Sequence, residues 1–285
     1  LHDINVAYIL DIVNFKSVEF DGYASGTATA SGLLSTPKAT ADIQVRNFMF
    51  NQAPLGTLKA QAEWGEQPHF LALAATIDDD SNNHHSIING GFNIGNKEIG
   101  NGLDLKVNTK GFNLAFMNQF TEGILDDFQG RASGYCRIFG PFKAIDLEGD
   151  LMLDHAHVKM PMLGTQYHIL RDSVHIKPGE IDIKATLLDE QASATILSKP
   201  YDNTYKNGNT QHTASLNGKF MHEHFKDLKF NFDAKVNNFL GYDFADFGES
   251  SFYATCLATG DISIRGIPGR LNIDINATPE AGTTF

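Results

Sequence analysis

Four histidines come in pairs two residues apart, His155 and His157 in LDHAH and His222 and His224 in MHEH. On a strand, residues two apart point the same way, so either pair could present two imidazoles to one metal ion. Neither pair has a carboxylate or thiol placed to complete a ligand set, although Asp154 and Glu223 are near in sequence. Imidazoles on a solvated strand face or at a turn account for both. Asp78, Asp79 and Asp80, followed by Ser-Asn-Asn, invite a calcium loop, but the glycine and terminal glutamate of an EF-hand are absent, so the run reads as a solvated turn. Cys136 and Cys256 make no disulfide framework and have no metal-ligand spacing; they read as two small, mostly buried thiols. The chain holds no Gly-rich loop with Lys and Ser/Thr, no His-Glu-x-x-His and no Gly-x-Ser-x-Gly, and the glycines of GGFNIGNKEIGNG lack a dinucleotide spacing. The expectation is a protein that is not an enzyme, with no catalytic residue, metal or cofactor.

The elements that would carry such side chains follow from composition and pattern. The 285 residues are 42% hydrophobic, enough for a folded core. Lys and Arg number 22 against 34 Asp and Glu, a formal charge of −12, and the basic residues are scattered, which argues against a nucleic-acid partner. Apolar stretches such as Val6 to Leu10 fall far short of the roughly 20 residues a spanning helix needs, so no transmembrane segment is expected here. The chain opens on Leu1 without an initiator Met or a leader-like segment, so targeting information is expected upstream.

Internal repetition organises the chain. Phe20, Gly22, Ala24, Ser25, Gly26 and Gly32 recur 108 residues later as Phe128, Gly130, Ala132, Ser133, Gly134 and Gly140. At the same spacing of 108, Asp42, Ile43 and Val45 recur as Asp150, Leu151 and Leu153, and Leu55, Gly56 and Thr57 as Leu163, Gly164 and Thr165. Asn89, Gly90 and Phe92 answer to Asn217, Gly218 and Phe220 at 128, which places an insertion of about 20 residues in the second copy. The polar run KPYDNTYKNGNT is its candidate, expected as an exposed loop around Tyr201 to Thr210. A third copy starts at Ala258, Thr259 and Gly260, spaced 126 from the second. The expected organisation is the end of a preceding repeat at 1–19, repeat units at 20–127 and 128–253, and the start of a third at 254–285.

Within the repeats, apolar residues fall at every second position. Leu58, Ala60, Ala62 and Trp64 alternate with Thr57, Lys59, Gln61 and Glu63; Leu103, Leu105 and Val107 with Asp104, Lys106 and Asn108; Leu228, Phe230, Phe232, Ala234 and Val236 with Lys229, Asn231, Asp233 and Lys235; and Leu271, Ile273 and Ile275 with Asn272, Asp274 and Asn276. One oily and one wet face is the mark of antiparallel strands, since parallel strands covered on both faces read as continuous apolar runs. The recurring glycines, Gly26 and Gly32 with their copies, are expected to bracket a strand where the chain turns or bulges or where another backbone comes close. Short amphipathic helices are expected after Asn113, with Leu114, Met117, Phe120 and Ile124, and after Asn5, with Val6, Ile9, Leu10 and Val13, each Asn capping its helix.

Four segments carry a resemblance: FQGRASGYCRIFG, LEGDLMLDHAHVKMPMLGTQYHI, GKFMHEHFKDLKFNFDAKVNNFL and SSFYATCLATGDISIRGIPGRLNIDINATPEAGTTF. In order and spacing, across nearly the whole chain, they resemble the periplasmic repeat region of the TamB family, within the AsmA-like group, in its Bacteroides-type versions. The family's usual Gly after Phe-Tyr is Ala254 here, which puts the local turn in question. The resemblance implies a mainly β fold: an elongated, curved antiparallel sheet forming a hydrophobic trough, a β-taco, with short amphipathic helices and tandem repeats. It implies a periplasmic, cell-envelope location with one end anchored in the inner membrane. It also implies a part in outer-membrane biogenesis, as a path for phospholipid between the membranes or in assembling outer-membrane proteins with a β-barrel partner.

A trough has a physical rationale. In a sandwich a second sheet about 10 Å away seals the oily face. A single rolled sheet leaves that face lining a groove, where an acyl chain gains about 0.8 kcal/mol per methylene removed from water. The expected lining is Leu103, Leu105, Val107, Leu151, Leu153, Leu228, Phe230, Phe232, Leu271, Ile273 and Ile275. The competing reading is a tandem β-sandwich serving as a stalk or adhesion module. What separates the two is whether inward positions stay apolar through consecutive strands with no second set of strands to cover them.

Overall fold

The structure, a computed structural model, describes residues 1–7, 19–32, 38–64, 69–79, 84–95, 100–121, 125–196, 206, 210–224, 226–244 and 253–285. It is mainly β. Its strands are β1 (Ile4–Asn5), β2 (Phe20–Ser31), β3 (Lys38–Phe50), β4 (Ala53–Trp64), β5 (Phe70–Asp79), β6 (His84–Asn93), β7 (Gly102–Asn113), β8 (Asp126–Pro141), β9 (Asp146–Met160), β10 (Thr165–Lys177), β11 (Glu180–Leu188), β12 (Thr213–Glu223), β13 (Lys226–Phe244), β14 (Ala254–Ile267) and β15 (Arg270–Pro279). They pair in chain order in one antiparallel sheet that is left open, β1 and β15 being its two edges. The helices are short: a 3-10 turn at Leu114–Met117 running into α1 (Asn118–Thr121), and α2 (Glu190–Ile196).

Local chemistry explains the meander. Asn51 and Gln52 both have positive φ, 46° and 65°, and close the β3–β4 hairpin in the twist-compatible two-residue form. Pro178-Gly179 and Pro268-Gly269 each join strands paired directly across them, Lys177 with Glu180 and Ile267 with Arg270; proline presets the first turn residue and glycine, at φ 74° and 77°, supplies the second. The 108-residue register reappears in backbone geometry. Gly26 and Gly134 have φ of 146° and 145°, and a Cβ on either would stand 2.1 or 2.2 Å from a carbonyl oxygen, that of Asp42 or Asp150. These two glycines lie inside β2 and β8 rather than at strand ends, so of the expected roles it is the close approach of a neighbouring backbone that they serve. Asn47 and His155, also 108 apart, share a positive φ of 50° and 48°.

The chain forms two compact units, Leu1–Phe116 with Arg131–Leu151, and Met117–Gly130 with Met152–Phe285. In the first unit the core is Ala24, Val45, Phe48, Leu55 and Ile77, with Phe20, Phe50 and Phe112 packed against it. Its sheet bends enough for β7 to reach β4 across two intervening strands: Asn113 Nδ2 donates to the Pro54 carbonyl at 3.3 Å. In the second unit β13 reaches β10 the same way, Tyr167 and Phe239 stacking at 4.9 Å beside a core of Ala214 and Val236.

Both expected asparagine caps form. Asn113 Oδ1 accepts from Ala115 N at 3.0 Å and Asn5 Oδ1 from Ala7 N at 2.8 Å. Leu114 is buried and Phe116 packs on Phe50 and Phe112, but Phe120 is exposed, so the short helix seals one end of the core rather than roofing the sheet. Ile124, and Ile9, Leu10 and Val13, lie outside the described residues, as does the expected insertion loop except for Lys206 and Thr210.

Candidate functional site

Pairing registers put the alternating residues on common faces, because residues directly opposite in antiparallel strands share a side. In the first unit four rows cross β4 to β8: Leu58, Ile77, Ser86, Thr109 and Gly134; Ala60, Ala75, Ile88, Val107 and Cys136; Ala62, Leu73, Gly90, Leu105 and Ile138; and Trp64, Leu71, Phe92, Leu103 and Gly140. The first row carries the buried Ile77 and Ser86, whereas Trp64, Leu71, Phe92 and Leu103 are half-buried. One end of this face is closed and the other thinly covered.

The second unit repeats the arrangement over β10 to β15. Ile176, Ile181, Phe220, Phe230, Gly266 and Leu271 form one row, and Val174, Ile183, Gly218, Phe232, Ile264 and Ile273 the next. Then come Ala185, Leu216, Ala234, Ile262 and Ile275. Phe232 is buried with its ring over Gly218, where any Cβ would stand 2.6 Å from Phe232 Cδ1; Phe220 packs edge-on to Phe230 and Phe232 at 5.2 and 4.8 Å. Ile273 and Ile275 are 46% and 68% exposed.

Of the expected lining, Leu103, Leu105 and Val107 thus share one face of the first unit, and Phe230, Phe232, Leu271, Ile273 and Ile275 one face of the second. Leu228 is half-buried in β13, at its hairpin end, and Leu151 and Leu153, half-buried and buried, alternate on β9. The opposite face is charged. Arg137 Nε and Nη2 donate to both carboxylate oxygens of Asp104 at 2.7 and 2.8 Å and its Nη1 to Glu148 at 3.0 Å; the guanidinium holds the Asp104 carboxyl below the usual range. Arg265 bonds Asp233 at 2.7 Å and Lys219 pairs with Glu180 at 2.9 Å.

The histidine pairs do not present two imidazoles side by side. The positive φ at His155 breaks the alternation, leaving its side chain exposed while His157 is largely buried, bonded to Gln166 at 2.8 Å and with its ring tilted against that of His168 at 4.6 Å. His222 is buried on β12 and His224 sits in the following turn at φ 49°. Among the described residues no three of His, Cys, Asp and Glu group to hold a metal ion. Asp78 bonds His85 at 2.5 Å, Asp79 ends β5, and Asp80 lies outside the described residues. Cys136 and Cys256 are free thiols; burial pushes Cys136 up to about 11.

A polar constellation that the periodicities do not reveal stands at the closed end of each unit. In the second, Asp189 is fully buried: Oδ1 accepts from Gln191 N and Ala192 N at 3.0 Å, capping α2, and Oδ2 accepts from His212 Nδ1 at 3.0 Å and Leu240 N at 3.1 Å. In the first, His84 Nδ1 lies 3.2 Å from the Leu55 carbonyl and Nε2 3.0 Å from Ser86 Oγ, which in turn meets Thr109 Oγ1 at 2.7 Å. The signal was present: Ala75, Thr76, Ile77 and Asp79 recur as Ala185, Thr186, Leu187 and Asp189, 110 apart, and His84 recurs as His212, 128 apart.

No protein-family model, curated protein or solved structure matches the chain. Among the described residues no helix is long and apolar enough to cross a membrane.

Proposed function

We propose that this chain is a non-catalytic segment of a TamB-like envelope-biogenesis protein, located in the periplasm, whose apolar sheet face carries phospholipid acyl chains between the inner and outer membranes. Assisting assembly of outer-membrane proteins, with a β-barrel partner, belongs to the same reading. One observation carries it. Apart from Ser86 and Thr109 at the closed end of the first unit, the inward rows stay apolar through consecutive strands while every strand belongs to the one sheet, so among the described residues no second sheet seals them. That arrangement favours a groove over a sandwich stalk, whose inner face would be covered. Half-exposed apolar rows suit an occupant that is itself oily and mobile: each methylene it buries contributes about 0.8 kcal/mol, and no directional bond resists sliding.

The test places a charge on the lipid path. Ile273→Asp suits it because this side chain is already half exposed, so the folded sheet can hydrate the new carboxylate. Purified wild-type protein is expected to yield phospholipid on organic extraction and mass spectrometry. Ile273→Asp and Phe230→Asp should lose that lipid while remaining folded, and Lys229→Glu and Asn272→Asp, on the other face, should retain it. Lipid-free wild-type protein combined with melting of Phe230→Asp would instead favour a structural stalk.

A further inference from the structure

Gly260 is the third copy's counterpart of Gly26 and Gly134, and the backbone repeats with it: its φ is 155°, and a Cβ there would stand 2.3 Å from the Asn276 carbonyl oxygen. Gly26 lies opposite Ile43 and Gly260 opposite Ala277, so β14 and β15 pair in the register of β2 and β3. Ala277, Ile275 and Asp274 therefore stand where Ile43, Ala41 and Thr40 stand in β3. There the next strand covers them: β4 sets Ala60 against Ile43, Ala62 against Ala41 and Glu63 against Thr40, and Ala41 and Ile43 are half-buried. β15 is the last strand of the sheet, and its Ile273 and Ile275 are 46% and 68% exposed.

The free backbone groups of this edge can be named. Glu280 N donates to the Leu257 carbonyl at 2.8 Å, one step beyond the pair Ala258–Pro279, and the register runs unbroken back to Ile267 opposite Arg270. Bonded and non-bonded pairs alternate in an antiparallel ladder, so the even-numbered residues of β15 bond β14, while Leu271, Ile273, Ile275 and Ala277 turn N–H and C=O outward. From Leu271 to Thr278 no basic side chain, inward charge or bulge guards the edge, as edge strands otherwise have. The opposite edge is blunter: β1 has two residues, and where β2 runs past it the inward positions are Ala28 and Ala30. We propose that the edge of β15 docks an extended segment of a partner chain, which adds to the sheet as an antiparallel strand, setting small apolar residues against Ile275 and Ala277 and a basic residue against Asp274. The basic residue follows from charge: Asp274 replaces Thr40, so a carboxylate in the place of Glu63 would meet a like charge directly across the strands. Outward main-chain groups supply affinity and the exposed isoleucines the inward contact, as in other strand additions to a sheet edge.

The probe is a synthetic Ala53–Trp64 peptide carrying Glu63→Lys, added to the whole chain and followed by residue-resolved hydrogen exchange. In the register of β3 and β4 it sets Ala62 against Ile275, Ala60 against Ala277 and the lysine against Asp274. Without peptide, the amides of Ile273, Ile275 and Ala277 should exchange freely and those of Asp274 and Asn276 slowly; with peptide, the three outward amides should slow several-fold. Ile275→Pro removes an outward N–H and no bond to β14, so the variant should fold and bind the peptide about tenfold more weakly. If Ile275→Pro fails to fold, Ile275→Lys, at a side chain already 68% exposed, replaces it with the same expected loss. Outward amides that the peptide leaves unslowed, undiminished binding to a folded Ile275→Pro or Ile275→Lys, or outward amides protected without peptide because β15 pairs with a second copy, would overturn the proposal.

Discussion

The ring of Tyr167 on β10 stacks 4.9 Å from that of Phe239 on β13, although two strands lie between them in the sheet. Such a contact requires the sheet of the second unit to bend, and the Tyr167 hydroxyl fastens the bend by donating to the Leu240 carbonyl at 3.0 Å.

Tyr167→Phe keeps the stack and removes the hydroxyl, so urea unfolding near pH 8 should show a loss of about 1–2 kcal/mol. Burial raises the phenol from 10.0 to about 12. An acid whose folded value is raised favours the neutral form on folding, so wild-type stability should fall as pH rises from about 10 toward 12, and the fall should be smaller in Tyr167→Phe.

Gly26→Ala and Gly134→Ala should each destabilise by more than about 1 kcal/mol, because a methyl at either site would meet a fixed backbone carbonyl at a φ that L-residues rarely adopt. Gly269→Ala, at a hairpin tip with nothing within 4 Å, should cost less, since only its φ of 77° is unfavourable. Thermal unfolding of the three variants side by side gives the ranking.

Asp189→Ala deletes the cap of α2 and strips Leu240 N and His212 of their acceptor, which should cost about 2–4 kcal/mol in urea unfolding. Asp189→Asn keeps an oxygen acceptor and should recover part of that loss.

Cys136 is buried and its thiol lies near 11, so iodoacetamide at neutral pH should label it only after unfolding, as read by peptide mass spectrometry. Rapid labelling in the native state would contradict the packing of this row.

How much of this was legible in the sequence depended on periodicity. The alternation at Leu103, Leu105 and Val107 or at Phe230 and Phe232 fixes a strand and its two faces, because a period of two leaves no other assignment, and the duplication at Gly26 and Gly134 exposes the recurring close approach. The caps at Asn5 and Asn113 were readable for the same local reason. What escaped lacks periodicity or depends on distant partners. The positive φ at His155 interrupts the alternation within one residue, so the same-side placement that a period of two allows His155 and His157 is not the one the backbone makes. Helix α2 has seven residues beside an insertion, too few turns to show an amphipathic spacing. Asp189 and His212 meet across 23 positions, and only an aligned view of the two repeats would single them out.

The central claim, that the apolar face holds acyl chains, can be tested at one residue. Trp64 is the sole tryptophan, and it lies on the half-buried row with Leu71, Phe92 and Leu103. Its emission should be quenched by phosphatidylethanolamine brominated within the acyl chains and unchanged by the unbrominated lipid, with Leu103→Asp reducing the effect. Unquenched Trp64 emission in protein shown by mass spectrometry to hold the brominated lipid would contradict an acyl path along this face.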